Sequence, residues 1–85
     1  MIDANYVTVL LVEDNEVDVE AVRRAFRKLR IANPIQVARD GLEALDRLRG
    51  QGEYETVPRP YLILLDLNLP RMSGIEFLRE LRRDA

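Results

Sequence analysis

The chain has 85 residues and neither cysteine nor histidine, so it forms one domain at most, and disulfides, cysteine-based zinc sites and histidine-based catalytic pairs are excluded. Carboxylates must therefore carry any chemistry. The formal net charge of −2 disfavours nucleic acid as a partner, because nucleic-acid-binding surfaces normally show a basic excess.

The first predicted element is a strand over residues 7–12, a nearly continuous apolar run that is typical of a parallel sheet covered on both faces. Asn15 is the predicted N-cap of the helix that follows, because its side chain can accept hydrogen bonds from free backbone N–H groups. The apolar stripe of this helix is predicted from helical spacing to be Val22, Ala25, Phe26 and Leu29.

The second predicted strand, Ile35–Ala38, has a polar residue in its interior, which favours an edge position in the sheet. Asp40 is the predicted N-cap of the second helix. The apolar stripe of that helix is predicted to be Leu42, Leu45 and Leu48. A polar loop that contains prolines then leads to the third predicted strand, Tyr61–Leu65.

The third predicted helix starts at a capping box formed by Ser73 and Glu76. Its apolar residues are Ile75, Phe77, Leu78 and Leu81. Strands and helices therefore alternate along the whole chain, and this order predicts a parallel α/β sheet with right-handed crossovers.

Ligands of open parallel sheets bind beyond the carboxyl ends of the strands. Glu13 and Asp14 follow the first strand and Asp66 follows the third, so three carboxylates converge if these strands are neighbours. Such carboxylates take up protons or bind a hard cation such as Mg²⁺, Ca²⁺ or Mn²⁺. An aspartate beside that cation is a candidate nucleophile towards phosphorus.

Taken singly, these residues also have ordinary structural interpretations. Glu13 and Asp14 are suited to a solvated helix start, Asp66 to a turn, and Ser73 to a helix cap. The combination of an acidic pair after one buried strand and a lone aspartate after another favours the functional interpretation.

Three segments carry a family resemblance: Leu-Val-Glu-Asp-Asn at 11–15, Leu-Leu-Asp-Leu-Asn-Leu-Pro at 64–70 and Met-Ser-Gly at 72–74. With them, nearly the whole chain resembles the receiver domain of bacterial two-component response regulators. The resemblance implies a flavodoxin-like parallel sheet with helices on both faces and strand order 2-1-3. It also implies that Pro70 and Gly74 shape the loop after the third strand.

By this resemblance, Asp66 is the phosphoacceptor, which receives a phosphoryl group from a histidine kinase. Glu13 and Asp14 match the acidic pair that holds Mg²⁺, with Asp14 as the direct ligand. The backbone carbonyl of Asn68 matches the group that completes the metal site. Glu13 stands where aspartate is commoner, a departure that still permits metal binding.

The family is a class of signalling domains, so we expect no enzymatic activity beyond self-catalysed phosphorylation and dephosphorylation. The loop with Pro-Arg-Pro at 58–60 resembles small stand-alone regulators that serve phytochrome-type kinases, which makes such a kinase an expected partner. The N-terminus shows no secretion signal, and the longest apolar stretch, residues 61–65, is too short to span a bilayer. We therefore expect a cytoplasmic protein without a membrane partner.

The family fold has five strand–helix units, and we expect residues 1–85 to be a partial receiver domain that lacks the last two. Those units carry a serine or threonine and a lysine that complete the switch, whereas the single lysine here, Lys28, lies on the first helix. Switching of this chain is therefore expected to be impaired. The third strand becomes an exposed apolar edge, which predicts a homo-oligomer formed through it.

Two other functions stay open at this point. One is a metal-dependent phosphohydrolase with an aspartate nucleophile, although such enzymes carry a second aspartate where this chain has Asn68. The other is an interaction module with a vestigial acidic site. Dinucleotide binding is disfavoured, because no Gly-x-Gly-x-x-Gly motif follows the first strand.

Overall fold

In the part of the chain that the structure describes, three strands alternate with three helices, as the hydrophobic pattern predicts. The computed structural model describes residues 7–54, 56–65 and 72–84. The strands are β1 (Thr8–Val12), β2 (Ile35–Ala38) and β3 (Tyr61–Leu65). The helices are α1 (Glu16–Lys28), α2 (Gly41–Arg49) and α3 (Gly74–Arg83). None of the helices in these ranges is long and apolar enough to cross a membrane.

The three strands form one parallel sheet in the order β2-β1-β3. This confirms the predicted flavodoxin-like order and the predicted edge position of β2. All five residues of β1 are buried, in agreement with the continuous apolar run that predicted a strand covered on both faces. Val12, the last residue of β1, is paired with Ala38 of β2 and with Leu65 of β3, so the carboxyl ends of all three strands lie side by side.

Each helix begins at the N-cap residue that the sequence predicts. The side chain of Asn15 accepts hydrogen bonds from two N–H groups in the first turn of α1. The carboxylate of Asp40 accepts one from the N–H of Glu43, at 2.9 Å, and the hydroxyl of Ser73 accepts one from the N–H of Glu76, at 3.2 Å. Three residues separate α1 from β1 and two separate α2 from β2, which keeps the carboxyl edge of the sheet compact.

The main hydrophobic core lies between the sheet and the pair of helices α2 and α3. Its buried members are Leu10, Val12, Ala38, Ala44, Leu45, Val57 and Phe77. Phe77 is fully buried although it belongs to a ten-residue helix whose other large apolar side chains are at least partly accessible. The buried phenyl ring therefore packs α3 against the sheet. It thereby also positions the residues immediately before α3.

Several apolar side chains that the helical spacing assigned to buried stripes are exposed in the structure. Leu29 is 68% exposed because α1 ends at Lys28 and Leu29 lies beyond it as the C-cap. Ile75 is 49% exposed and Leu78 40%, since no described element covers that side of α3. Leu62 of β3 is 53% exposed, which agrees with the edge position of this strand.

The far ends of α2 and α3 are joined by an ion pair. Arg49 donates two hydrogen bonds to Asp84, from Nε to Oδ2 at 2.6 Å and from Nη2 to Oδ1 at 3.1 Å. Glu80 approaches the same guanidinium at 3.6 Å. The hydrogen bonds from Arg49 hold the pKa of Asp84 below its usual range, and the same contact raises the pKa of Arg49.

This ion pair predicts a pH-dependent contribution to stability. The pKa of Asp84 is lower in the folded chain than the value of about 3.9 in an unfolded one, so the contribution is present above about pH 4 and is lost as the pH falls through the folded pKa. Replacement of Asp84 by Asn therefore lowers the free energy of unfolding at pH 7, and wild type and variant converge in acid. Urea unfolding at a series of pH values measures this difference. Asp46→Asn on α2 is the control, and a difference for Asp84→Asn that persists unchanged in acid contradicts the assignment.

Candidate functional site

The predicted site lies at the carboxyl edge of the sheet, beside the end of β1. The pairing of Val12 with Leu65 brings the last residues of β1 and β3 together, and the chain continues from them into Glu13 and Asp66. Asp66, Asn68 and Pro70 lie outside the described residues. The structure therefore brings together the two strand ends that the sequence analysis needed as neighbours.

Glu13 is held in place by both its backbone and its side chain. Its N–H donates to the carbonyl of Ala38 at 2.9 Å, which extends the pairing of β1 with β2 by one residue. Its carboxylate Oε2 accepts a hydrogen bond from the N–H of Asn15 at 3.3 Å. Glu13 is half-buried and Asp14 is exposed, so one carboxylate faces the start of α1 and the other is open to solvent.

The start of α1 makes this position favourable for anionic side chains. Free N–H groups and the helix dipole give the first turn a partial positive charge, which attracts anionic side chains placed nearby. Two carboxylates with several waters are a sufficient donor set for Mg²⁺ and related hard cations. Glu13 and Asp14 thus fit a divalent cation by the chemistry of their oxygens. Across residues 7–54, 56–65 and 72–84, no group of three or more acidic side chains is placed to hold a metal ion.

A close contact between α2 and the segment before α3 was not anticipated from the sequence. A Cβ at Gly41 would lie 3.0 Å from both Cβ and Cγ of Met72 and 3.1 Å from its Sδ. Met72 also packs against the main core. A larger residue here would force Met72 to shift by a few tenths of an ångström, and so Gly41 allows the segment before α3 to lie close to α2.

A second contact that sequence reasoning missed joins the end of β2 to the start of α1. The guanidinium of Arg39 forms an ion pair with the carboxylate of Glu16, and both side chains are largely exposed. The two residues are 23 positions apart, and only the parallel pairing of β1 with β2 brings them together. No short-range sequence pattern signals such a pair.

Residues 9–85 match the family described as the response regulator receiver domain. The chain belongs to this family. The match confirms the resemblance drawn from the acidic pair, the aspartate after β3 and the Met-Ser-Gly segment. A receiver domain of two-component response regulators is therefore the functional class of this chain.

Relatives and solved structures agree with this assignment. The receiver domain is 46% identical to response regulator Rcp1 of Synechocystis sp. over 76 residues, which cover 89% of this chain and 52% of Rcp1. The crystal structure of the Mn²⁺-bound form of Rcp1 superposes with a TM-score of 0.78 at 45% identity, covering 91% of this chain and 55% of that one. The phosphorylated cyanobacterial phytochrome response regulator RcpA gives a TM-score of 0.80 at 42% identity, covering 93% and 56%. The chain thus spans about half the length of these relatives.

The contact between Gly41 and Met72 predicts that a single methyl group at position 41 destabilises the fold. Gly41→Ala is expected to lower the free energy of unfolding by about 1–3 kcal/mol, because the Cβ of Met72 cannot move away without the backbone. In a Met72→Ala background the loss is smaller, since Cγ and Sδ, two of the three close atoms, are gone. Chemical denaturation of the four proteins in this double-mutant cycle measures the coupling. Equal losses of unfolding free energy in both backgrounds would show that the contact with Met72 is not the reason why Gly41→Ala is destabilising.

Proposed function

We propose that this receiver domain accepts a phosphoryl group on Asp66 from a histidine kinase. In the same proposal, Mg²⁺ is held by Glu13, Asp14, Asp66 and the backbone carbonyl of Asn68, with Asp14 as a direct ligand. The observation that carries it is the register of β1 and β3, which ends both strands at one edge of the sheet. The fixed orientation of Glu13 beside the capped start of α1 supports the acidic side of the site.

The chemistry follows from an aspartate placed at that edge. A carboxylate oxygen of Asp66 attacks the phosphorus of a phosphohistidine, the new O–P bond forms as the N–P bond breaks, and the electron pair leaves with the imidazole, which takes up a proton. A bound divalent cation supplies charge neutralisation for the phosphoryl oxygens. The product adds about −1.5 to −2 charge at neutral pH, which is enough to bias a two-state surface.

The relatives support the metal and the phosphoryl group as ligands of this kind of site. Rcp1 has been solved in a Mn²⁺-bound form and RcpA in a phosphorylated form. Phytochrome response regulators are similar to this chain in both sequence and structure, which supports a phytochrome-type kinase as the partner. We infer Mg²⁺ as the working cation, a signalling role without turnover of a substrate, and the cytoplasm as the location. Asn68 in place of a second aspartate disfavours the phosphohydrolase.

We also propose that the chain self-associates through β3. This strand is an edge of the sheet, its five residues are apolar or aromatic, and Leu62 is 53% exposed. The unpaired backbone groups of such an edge form hydrogen bonds readily with a second strand. A second copy of β3 is uncharged and equally apolar, so antiparallel pairing about Ile63 would continue the sheet across two chains.

Phosphorylation at Asp66 is testable by native mass spectrometry. With Mg²⁺ and a small phosphodonor such as acetyl phosphate, we expect one phosphate mass per chain in the wild type and none in Asp66→Asn. The Asp46→Asn variant, with the same chemical change on α2, keeps the phosphate. A wild-type chain that never gains phosphate, or an Asp66→Asn chain that still does, would overturn the proposal.

Self-association predicts a specific response to charge on β3. Leu62→Lys is expected to shift the chain from a dimer or larger assembly to a monomer, because a lysine on an edge strand opposes pairing with another strand. Leu29→Lys, which places the same charge at the exposed C-cap of α1, leaves the assembly intact. Sedimentation velocity distinguishes the two. A wild-type chain that sediments as a sharp monomer and unfolds cooperatively would refute the interface.

A further inference from the structure

The charge distribution at the carboxyl edge of the sheet is strongly one-sided. Residues 13–19, 39–44 and 72–77 include the described starts of the three helices, and they contain seven acidic side chains and one basic one, with Glu43 paired with Arg47 just beyond them. The acidic residues are Glu13, Asp14, Glu16, Asp18, Asp40, Glu43 and Glu76. The basic residue is Arg39, and it forms an ion pair with Glu16.

The position of Arg39 follows from the sheet. The carbonyl of Ala38 accepts the N–H of Glu13 at 2.9 Å, so Arg39 leaves β2 immediately beside the acidic pair. Glu16 is the first residue of α1 and follows Asp14 by two positions. The side chain of Arg39 therefore crosses from the end of β2 to the start of α1 and pairs with the carboxylate two positions beyond Asp14.

The ion pair contributes little to stability. Its side chains are 48% and 62% exposed, and exposed pairs of this kind typically contribute between zero and about 1 kcal/mol. Its consequence for the site is larger, because a third carboxylate beside a cation increases binding, whereas a carboxylate paired with a guanidinium is occupied. In the described part of the chain no third acidic side chain joins Glu13 and Asp14 to form a metal-holding group.

We propose that Arg39 is a positioning residue that withholds the Glu16 carboxylate from the acidic site and thereby limits the affinity of that site for divalent cations. This inference rests on the proposed function, since it assumes that Glu13 and Asp14 take part in cation binding. A weaker site exchanges its cation readily, and Arg39 leaves positive charge near the position where an anionic phosphodonor arrives. The Arg39–Glu16 pair thus lowers the affinity for the cation and favours the approach of the anionic phosphodonor.

The test is a titration of each variant with Mn²⁺, in which electron paramagnetic resonance reports the free ion. Arg39→Gln is expected to bind Mn²⁺ about threefold to tenfold more tightly than the wild type, because Glu16 is released towards the site. In the double variant Glu16→Gln/Arg39→Gln, the affinity returns to within about twofold of the wild type, since the released carboxylate is absent. Arg39→Lys keeps the pair and the wild-type affinity.

The controls separate this inference from its alternatives. Arg82→Gln, which removes the same charge near the far end of α3, leaves the affinity unchanged. An Arg39→Gln chain with wild-type affinity, or a double variant that retains the full gain, overturns the inference while the cation site itself stands. A wild-type chain that binds Mn²⁺ no better than Asp14→Asn overturns the proposed metal site, and the role of Arg39 falls with it. Circular dichroism confirms that every variant is folded.

Discussion

The pairing of β1 with a parallel strand on each side is the constraint on which the rest of this receiver domain depends. β1 is buried along its whole length, so its backbone groups must find partners in neighbouring strands. β2 and β3 supply them in a register that aligns Val12 with both Ala38 and Leu65. Because all three strands run in one direction, their carboxyl ends meet at one edge of the sheet.

The turn after β1 converts this alignment into an acidic site. The side chain of Asn15 caps α1 by accepting a backbone hydrogen bond, and the backbone N–H of Asn15 donates a hydrogen bond to the carboxylate of Glu13. Helix start and acidic pair are therefore parts of one structure, in which a positive helix terminus stabilises negative side chains. On the other side, the absence of a side chain at Gly41 lets Met72 approach α2, which positions the return of the chain into α3.

The two ends of α2 lie beside different arrangements of charge. At its start, the only cation among the described edge residues, Arg39, is engaged by Glu16, and carboxylates dominate. At its end, Arg49 forms ion pairs with Asp84 and Glu80 of the α3 segment, and these pairs hold the two helices together. The first arrangement leaves negative potential for a cation, whereas the second is a structural clamp. This division agrees with a fold that binds ligands at one end of the sheet and is held together at the other.

The sequence by itself determined the elements and their parallel arrangement, and it predicted the class of site. Continuous apolar strands, N-cap residues such as Asn15 and Asp40, and the acidic residues after β1 and β3 are local signals, and the helices begin where those caps lie. It did not determine which apolar residues are covered, since the burial of Leu45 but not Leu42 depends on where α2 meets the sheet. The contacts of Gly41 with Met72 and of Arg39 with Glu16 also required the tertiary structure. They join residues far apart in the chain, and only strand pairing and helix packing bring such residues together.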